Sequence, residues 1–216
     1  MVKWVTGFMA ALLLATVVHA EDKKIVLFDG TDESQWVTRP GGEPANWKII
    51  DGAMETTAND IVTRDKYKDF TLHVEFWIPK FPDDVKGQAR GNSGVYLQGR
   101  YEIQVLDSYA LTPGVGDCGA IYSQKAPDSN ACKPPEEWQT YDITFKTARF
   151  DDQGKKIANA RVTVFQNGTK IQDNVEITGP TGQGDAETAE GGPIRLQYHH
   201  NTDRFRNVWI IPTEAK

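Results

Sequence analysis

Much of the chain is written in a two-residue rhythm. Within residues 69–78, Phe70, Leu72, Val74 and Phe76 alternate with Thr71, His73, Glu75 and Trp77. A strand turns successive side chains to opposite faces, so this pattern predicts one face in a core and one facing outward. Residues 25–28, 47–50 and 60–63 repeat the pattern on a smaller scale, the first two ending at Asp29-Gly30 and Asp51-Gly52. Residues 93–98 and 101–106 flank Gly99-Arg100, and 160–165 and 169–172 flank Asn167-Gly168; both read as hairpins. Residues 138–146, 194–199 and 206–211 supply further strands, while 79–91, 108–137 and 179–192 read as long polar loops. There is no amphipathic helical stretch of convincing length, no internal repeat and no linker. Many strands with long decorated loops predict an all-β fold, a two-sheet sandwich or jelly roll.

The two ends and the charge narrow the setting. Lys3, the apolar run 8–18 and the small residues of Val18-His19-Ala20 read as a secretory signal over residues 1–20. Residues 21–216 then form one exported domain, periplasmic or extracellular, with no cysteine at the cleavage point to carry a lipid and no later membrane-length stretch. The 24 basic and 30 acidic side chains, net charge −6, argue against nucleic acid or an anionic membrane as partner and leave neutral ligands open. The only two cysteines, Cys118 and Cys132, lie in one loop-rich segment, and in an oxidising compartment they predict a disulfide.

Candidate chemistry gathers in mid-chain. On 101–106, Glu102 and Gln104 share a face while Ile103 and Val105 point into the core; Asp107 joins that face only if the strand ends or bulges. The preceding strand brings Asn92, Gly94 and Tyr96 together, and near the end Arg195, Gln197 and His199 alternate with Ile194, Leu196 and Tyr198. Glu75 belongs to a similar polar face. Such a face is often simply solvated, but carboxylates, amides and rings on a curved sheet also suit a glycan. Trp77, Tyr96, Tyr109 and Trp138 could serve as a stacking platform, whereas Trp36, Trp47 and Trp209 sit in apolar settings that predict core. Arg206 reads as a partner for an acidic neighbour. Zinc spacings, phosphate-binding glycine loops and Gly-x-Ser-x-Gly are absent.

The runs Gly91-Asn92-Ser93-Gly94-Val95-Tyr96-Leu97-Gln98 and Tyr101-Glu102-Ile103-Gln104-Val105-Leu106-Asp107-Ser108 resemble the central signature of the 3-keto-disaccharide hydrolase family. Trp47-Lys48-Ile49-Ile50-Asp51-Gly52, Asp117-Cys118-Gly119-Ala120-Ile121-Tyr122 and Phe205-Arg206-Asn207-Val208-Trp209 extend the likeness over about residues 25–212. Leu196-Gln197-Tyr198-His199-His200 departs from the Leu-Gln-Asp-His-Gly of many members, keeping the histidine but not the acid before it. The resemblance implies a concanavalin A-like jelly roll and cleavage of glycosides already oxidised to a ketone at carbon 3. The ketone acidifies the hydrogen on carbon 2, so a modest base can remove it and expel the group on carbon 1; water then adds to the enone. The catalytic residues expected on this basis are Glu102, Asp107 and His199: Glu102 or His199 as base, Asp107 at the leaving group. Glu75, Asn92, Tyr96, Gln104, Gln197 and Arg206 are expected to bind substrate, with Asn92, Gln104 or Arg206 on the ketone. A divalent cation held by Glu75, Glu102 and His199 could replace the donors. Two other readings stand beside this one: a two-carboxylate glycosidase acting on unoxidised glycans through Glu102 and Asp107, and a carbohydrate-binding module without catalysis.

Overall fold

The computed structural model describes residues 24–213, so the signal expected at 1–20 lies outside the described residues. Among the described residues, fifteen strands and one short 3-10 turn at Gly87–Ala89 account for the regular structure. The larger sheet has eight strands. In order across it lie β13 (Thr169–Ile177), β12 (Ala160–Gln166), β9 (Gln139–Lys146), β6 (Asp69–Trp77), β15 (Arg204–Thr213), β4 (Ala53–Glu55) and β3 (Lys48–Ile50). The eighth, β1 (Ile25–Phe28), also pairs with β15. The smaller sheet runs β2 (Trp36–Arg39), β5 (Asp60–Thr63), β14 (Arg195–Leu196), β7 (Ser93–Leu97) and β8 (Tyr101–Val105). A separate two-stranded ribbon joins β10 (Arg149–Phe150) to β11 (Lys156–Ala158). All the ladders are antiparallel, and the architecture is a jelly-roll sandwich.

The period-two pattern decides the core. Phe70, Leu72, Val74 and Phe76 of β6 are fully buried, as are Tyr141, Ile143 and Phe145 of β9, because these faces look across to the smaller sheet. The rings of Tyr101 and Phe145 meet across the interlayer at 5.6 Å. Tyr141 keeps its hydroxyl in the core only because it donates to the Gln104 carbonyl at 2.6 Å, which meets the need of a buried polar group for a partner. Trp36 and Trp47 are core residues as expected, while Trp209 is half-buried on the outer face of the larger sheet, stacked on His73 at 5.0 Å.

In β7 and β8 every residue is buried, including those facing away from the core. Loop 108–137 explains part of this. Its residues 119–122 lie along the free edge of β8: Gly119 N–H donates to the Gln104 carbonyl (2.9 Å), Gln104 N–H to Ala120 (3.0 Å), and Tyr122 N–H to Glu102 (3.1 Å). The edge strand is thereby closed to other chains. Loop 179–192 is pressed onto the hairpin turn between β7 and β8. A Cβ on Gly184 would lie 2.0 Å from the Arg100 carbonyl oxygen, and one on Gly192 would lie 2.3 Å from that of Gln98, so only glycine allows this approach.

Cys118 and Cys132, the pair expected to form a disulfide, stand as free thiols in this structure. They are nevertheless neighbours, since the Gln166 amide nitrogen lies 3.4 Å from one sulfur and 3.3 Å from the other.

Candidate active site

Strand alternation on β7, β8 and β14 sends Gly94, Tyr96, Glu102, Gln104 and Arg195 to the outer face of the smaller sheet. The two docked loops raise walls around that face. The result is a cavity of ≈ 240 Å³ lined by Asn92, Tyr96, Glu102, Gln197 and His199 together with Tyr122, Gly182 and Gln183. Its floor is buried (Glu102 is 3% exposed and Tyr96 fully covered), whereas Gln183 and His199 stand exposed at the mouth. Thus Asn92, Tyr96, Glu102, Gln197 and His199, read from three separate stretches of sequence, converge on one cavity.

Glu102 is the chemical centre of the floor. Tyr96 Oη donates to its Oε2 at 2.9 Å, and Gln197 Nε2 donates to Tyr96 Oη at 3.3 Å. The Arg195 guanidinium lies 4.1 Å from the Tyr96 ring centroid on the ring's face, is paired with Asp60, and donates to the Gln183 carbonyl at 2.9 Å. Burial pushes the Glu102 carboxyl up to about 7, against the opposing pull of the Tyr96 hydrogen bond and the Arg195 charge. Burial and the Glu102 charge also push the Tyr96 phenol upward, so Tyr96 stays protonated. Gly94 makes room for the carboxylate: a Cβ there would stand 2.5 Å from Glu102 Oε1.

Gln104 lies behind the lining. Its amide nitrogen donates to Gln88 Oε1 at 2.8 Å and sits 3.5 Å from Asn92 Oδ1. The side-chain oxygens of Gln104 and Gln197 are both buried without a partner. Such acceptors are costly to leave unpaired, and a hydroxyl donor on a ligand in the cavity would satisfy that of Gln197, which lines it. The cavity therefore offers a carboxylate that changes charge near neutrality, a neutral phenol touching it, and several amides.

Three expected site residues lie elsewhere. Strand β8 ends at Val105, and the Asp107 carboxylate turns to Arg90 in an ion pair outside the cavity lining. Glu75 and Arg206 face outward from β6 and β15 on the opposite side of the sandwich, joined to each other at 2.6 Å. Alternation predicts an outward face correctly for both sheets but does not say which one the loops cover. The cation trio Glu75, Glu102 and His199 is therefore not assembled, and no group of three or more His, Cys, Asp or Glu with metal-binding geometry exists among the described residues. The aromatic platform is also dispersed. Trp77 and Trp138 are capped on the far face by Arg204 and Arg206, at 4.9 and 3.9 Å, and Tyr109 is exposed. Tyr122 and Gln183 were not anticipated as lining residues; the Asp117–Tyr122 run was visible, but its role depends on docking at the edge of β8.

Comparison with known proteins agrees with this architecture. A candidate glycosyl hydrolase from Parabacteroides distasonis, solved at 2.13 Å, is 39% identical over 88% of this chain and 84% of that one, with a TM-score of 0.79. Two other candidate glycosyl hydrolases from the same organism share the fold. One is 22% identical with a TM-score of 0.62, covering 90% of this chain and 95% of its own. The other is 23% identical with a TM-score of 0.58, covering 88% of this chain and 100% of its own. Among proteins of curated function, no sequence matches. Residues 23–211 match a single family description over nearly the whole described chain, and by that match the protein belongs to the 3-keto-alpha-glucoside-1,2-lyase-like domain family.

Proposed function

We propose that this protein cleaves 3-keto-glycosides or 3-keto-disaccharides outside the cytoplasm, by 1,2-elimination followed by hydration. The observation that carries the reading is Glu102, a buried carboxyl held near 7 at the base of a polar cavity sized for one sugar ring. A base should titrate near the working pH to be both ionised and strong enough to act. Family membership and the likeness to a candidate glycosyl hydrolase at 39% identity support a carbohydrate substrate. Glu102 removes the hydrogen on carbon 2, and the Asn92 amide, backed by Gln104, holds the developing enolate oxygen of the ketone. The bond from carbon 1 to the leaving oxygen then breaks. Water adds to carbon 1 of the resulting enone and a proton returns to carbon 2, completing net hydrolysis. Glu102 is the one carboxylate lining the cavity among the described residues, which disfavours the two-carboxylate mechanism, since that requires a facing pair.

The test is to incubate residues 21–216 with a 3-keto-glucoside and its unoxidised parent, with and without chelator. Release from the keto form alone is expected. Release from the parent would overturn the reading, and sugar binding without turnover of either would assign a binding module instead.

A further inference from the structure

With Asp107 turned to Arg90, the proposed reaction lacks an assigned proton donor for its leaving oxygen. His199 is exposed at the mouth, and its ring makes no hydrogen bond to the cavity floor among the described residues. Tyr96 is better placed. Its hydroxyl already touches Glu102, at 2.9 Å, and it lines the same cavity. Its oxygen accepts from Gln197 Nε2, and its ring lies against the Arg195 guanidinium; both would stabilise negative charge developing on the phenol oxygen.

Resting on the proposed elimination, we infer that Tyr96 is the general acid, delivering to the leaving oxygen a proton that Glu102 then replaces across their shared hydrogen bond. The balance closes within the site. The C2–H bond breaks and its proton goes to the Glu102 carboxylate, leaving the electron pair in the enolate; that pair then forms the C1=C2 bond as the C1–O bond breaks. The departing oxygen takes the Tyr96 hydroxyl proton. Protonated Glu102 then passes its proton to the Tyr96 oxygen, restoring carboxylate and phenol without a proton from solvent. Base and acid thus form one reciprocating pair, and the enzyme is reset when the leaving group departs.

The experiment compares 3-keto-glucosides carrying a poor leaving group (an alkyl alcohol) and a good one (a nitrophenol), in wild type, Tyr96→Phe, Glu102→Gln and His199→Asn. Rates are read at about pH 9, where Glu102 is ionised even without the phenol bond. Tyr96→Phe should slow the alkyl substrate about 100-fold or more and the nitrophenyl substrate less than about tenfold, because a good leaving group departs without protonation. Glu102→Gln should slow both alike. Equal loss on both substrates in Tyr96→Phe, or no loss on either, would overturn the proposal, as would a selective loss in His199→Asn. If Tyr96→Phe does not fold, the wild type alone decides: a flat dependence of kcat/KM on leaving-group acidity supports internal protonation, and a steep one refutes it. A wild type inactive on both substrates would instead sink the proposed elimination, and this pair with it.

Discussion

At the scale of single residues, burial of Glu102 ties activity to stability. Its carboxyl titrates near 7 in the folded protein against an ordinary 4.5, so between these values the folded state holds a proton that the unfolded state has released. This contribution to stability is intact below about 4.5, falls as pH rises toward 7, and is not regained above it. Glu102→Gln should therefore raise stability at about pH 8, by roughly 1–3 kcal/mol, in denaturant titration. The same variant should lower keto-glycoside turnover by about 100- to 10,000-fold. A variant that is both less stable and fully active would remove Glu102 from the base role. The acid limb of kcat/KM in the wild type should bend near pH 7. Gly94 is the other decisive residue. Gly94→Ala places a methyl group 2.5 Å from Glu102 Oε1 and so displaces the carboxylate; it should cut turnover at least about tenfold, at a cost of about 1–3 kcal/mol for overpacking.

At the scale of elements, the hydrophobic alternation was readable in β6, β9 and β12, whereas β13, nine residues long, was read only over 169–172 because its buried positions do not alternate. Strand β6 was legible because four apolar residues interleave with four polar or amphipathic ones, and the β7–β8 hairpin because turn residues separate two such runs. Strand β2 was not, because its four residues lie between Ser34-Gln35 and Pro40-Gly41-Gly42, which read as turn. The strands of the β10–β11 ribbon, two and three residues long, are too short to show any period, whereas the alternation read over residues 194–199 is regular strand only at Arg195–Leu196, in β14. The candidate site was half legible for a related reason. Glu75 and Glu102 occupy equivalent alternating positions, and only loops docking from remote sequence distinguish the solvated face from the walled one. Loop 108–137 also carries the thiol pair. Cys118 adjoins Gly119, which bonds to the Gln104 carbonyl, so linking Cys118 to Cys132 would tie this wall down. In oxidising buffer both free thiols should disappear together on thiol titration, with a gain of about 3 kcal/mol over a Cys132→Ser variant. Persistence of both thiols after oxidation would show that the pair is kept reduced.

At the scale of the whole molecule, buried acids set the pH response. Besides Glu102, Asp203 is enclosed with both carboxylate oxygens unpartnered, and burial alone pushes its pKa well above the ordinary range. The sign is the same as for Glu102: the folded state keeps a proton that the unfolded chain loses, so stability falls as pH rises through the titration of the folded group. The net charge of −6 adds self-repulsion in the same direction. Thermal unfolding should therefore place the most stable point on the mildly acidic side of neutrality, and Asp203→Asn should flatten the alkaline decline. A wild-type curve that keeps rising through pH 9 would contradict this account. The backbone-on-backbone seating of loop 179–192 has a different kind of consequence. A wall whose glycines touch the Arg100 and Gln98 carbonyls cannot swing aside as a hinged flap without peeling away from the turn beneath it. Traffic in and out then uses a doorway that is always open, and a sugar meets a receptacle already shaped for it, with little ordering left to do on arrival. Such a doorway also admits solvent throughout the cycle, which suits chemistry whose second half consumes a water molecule.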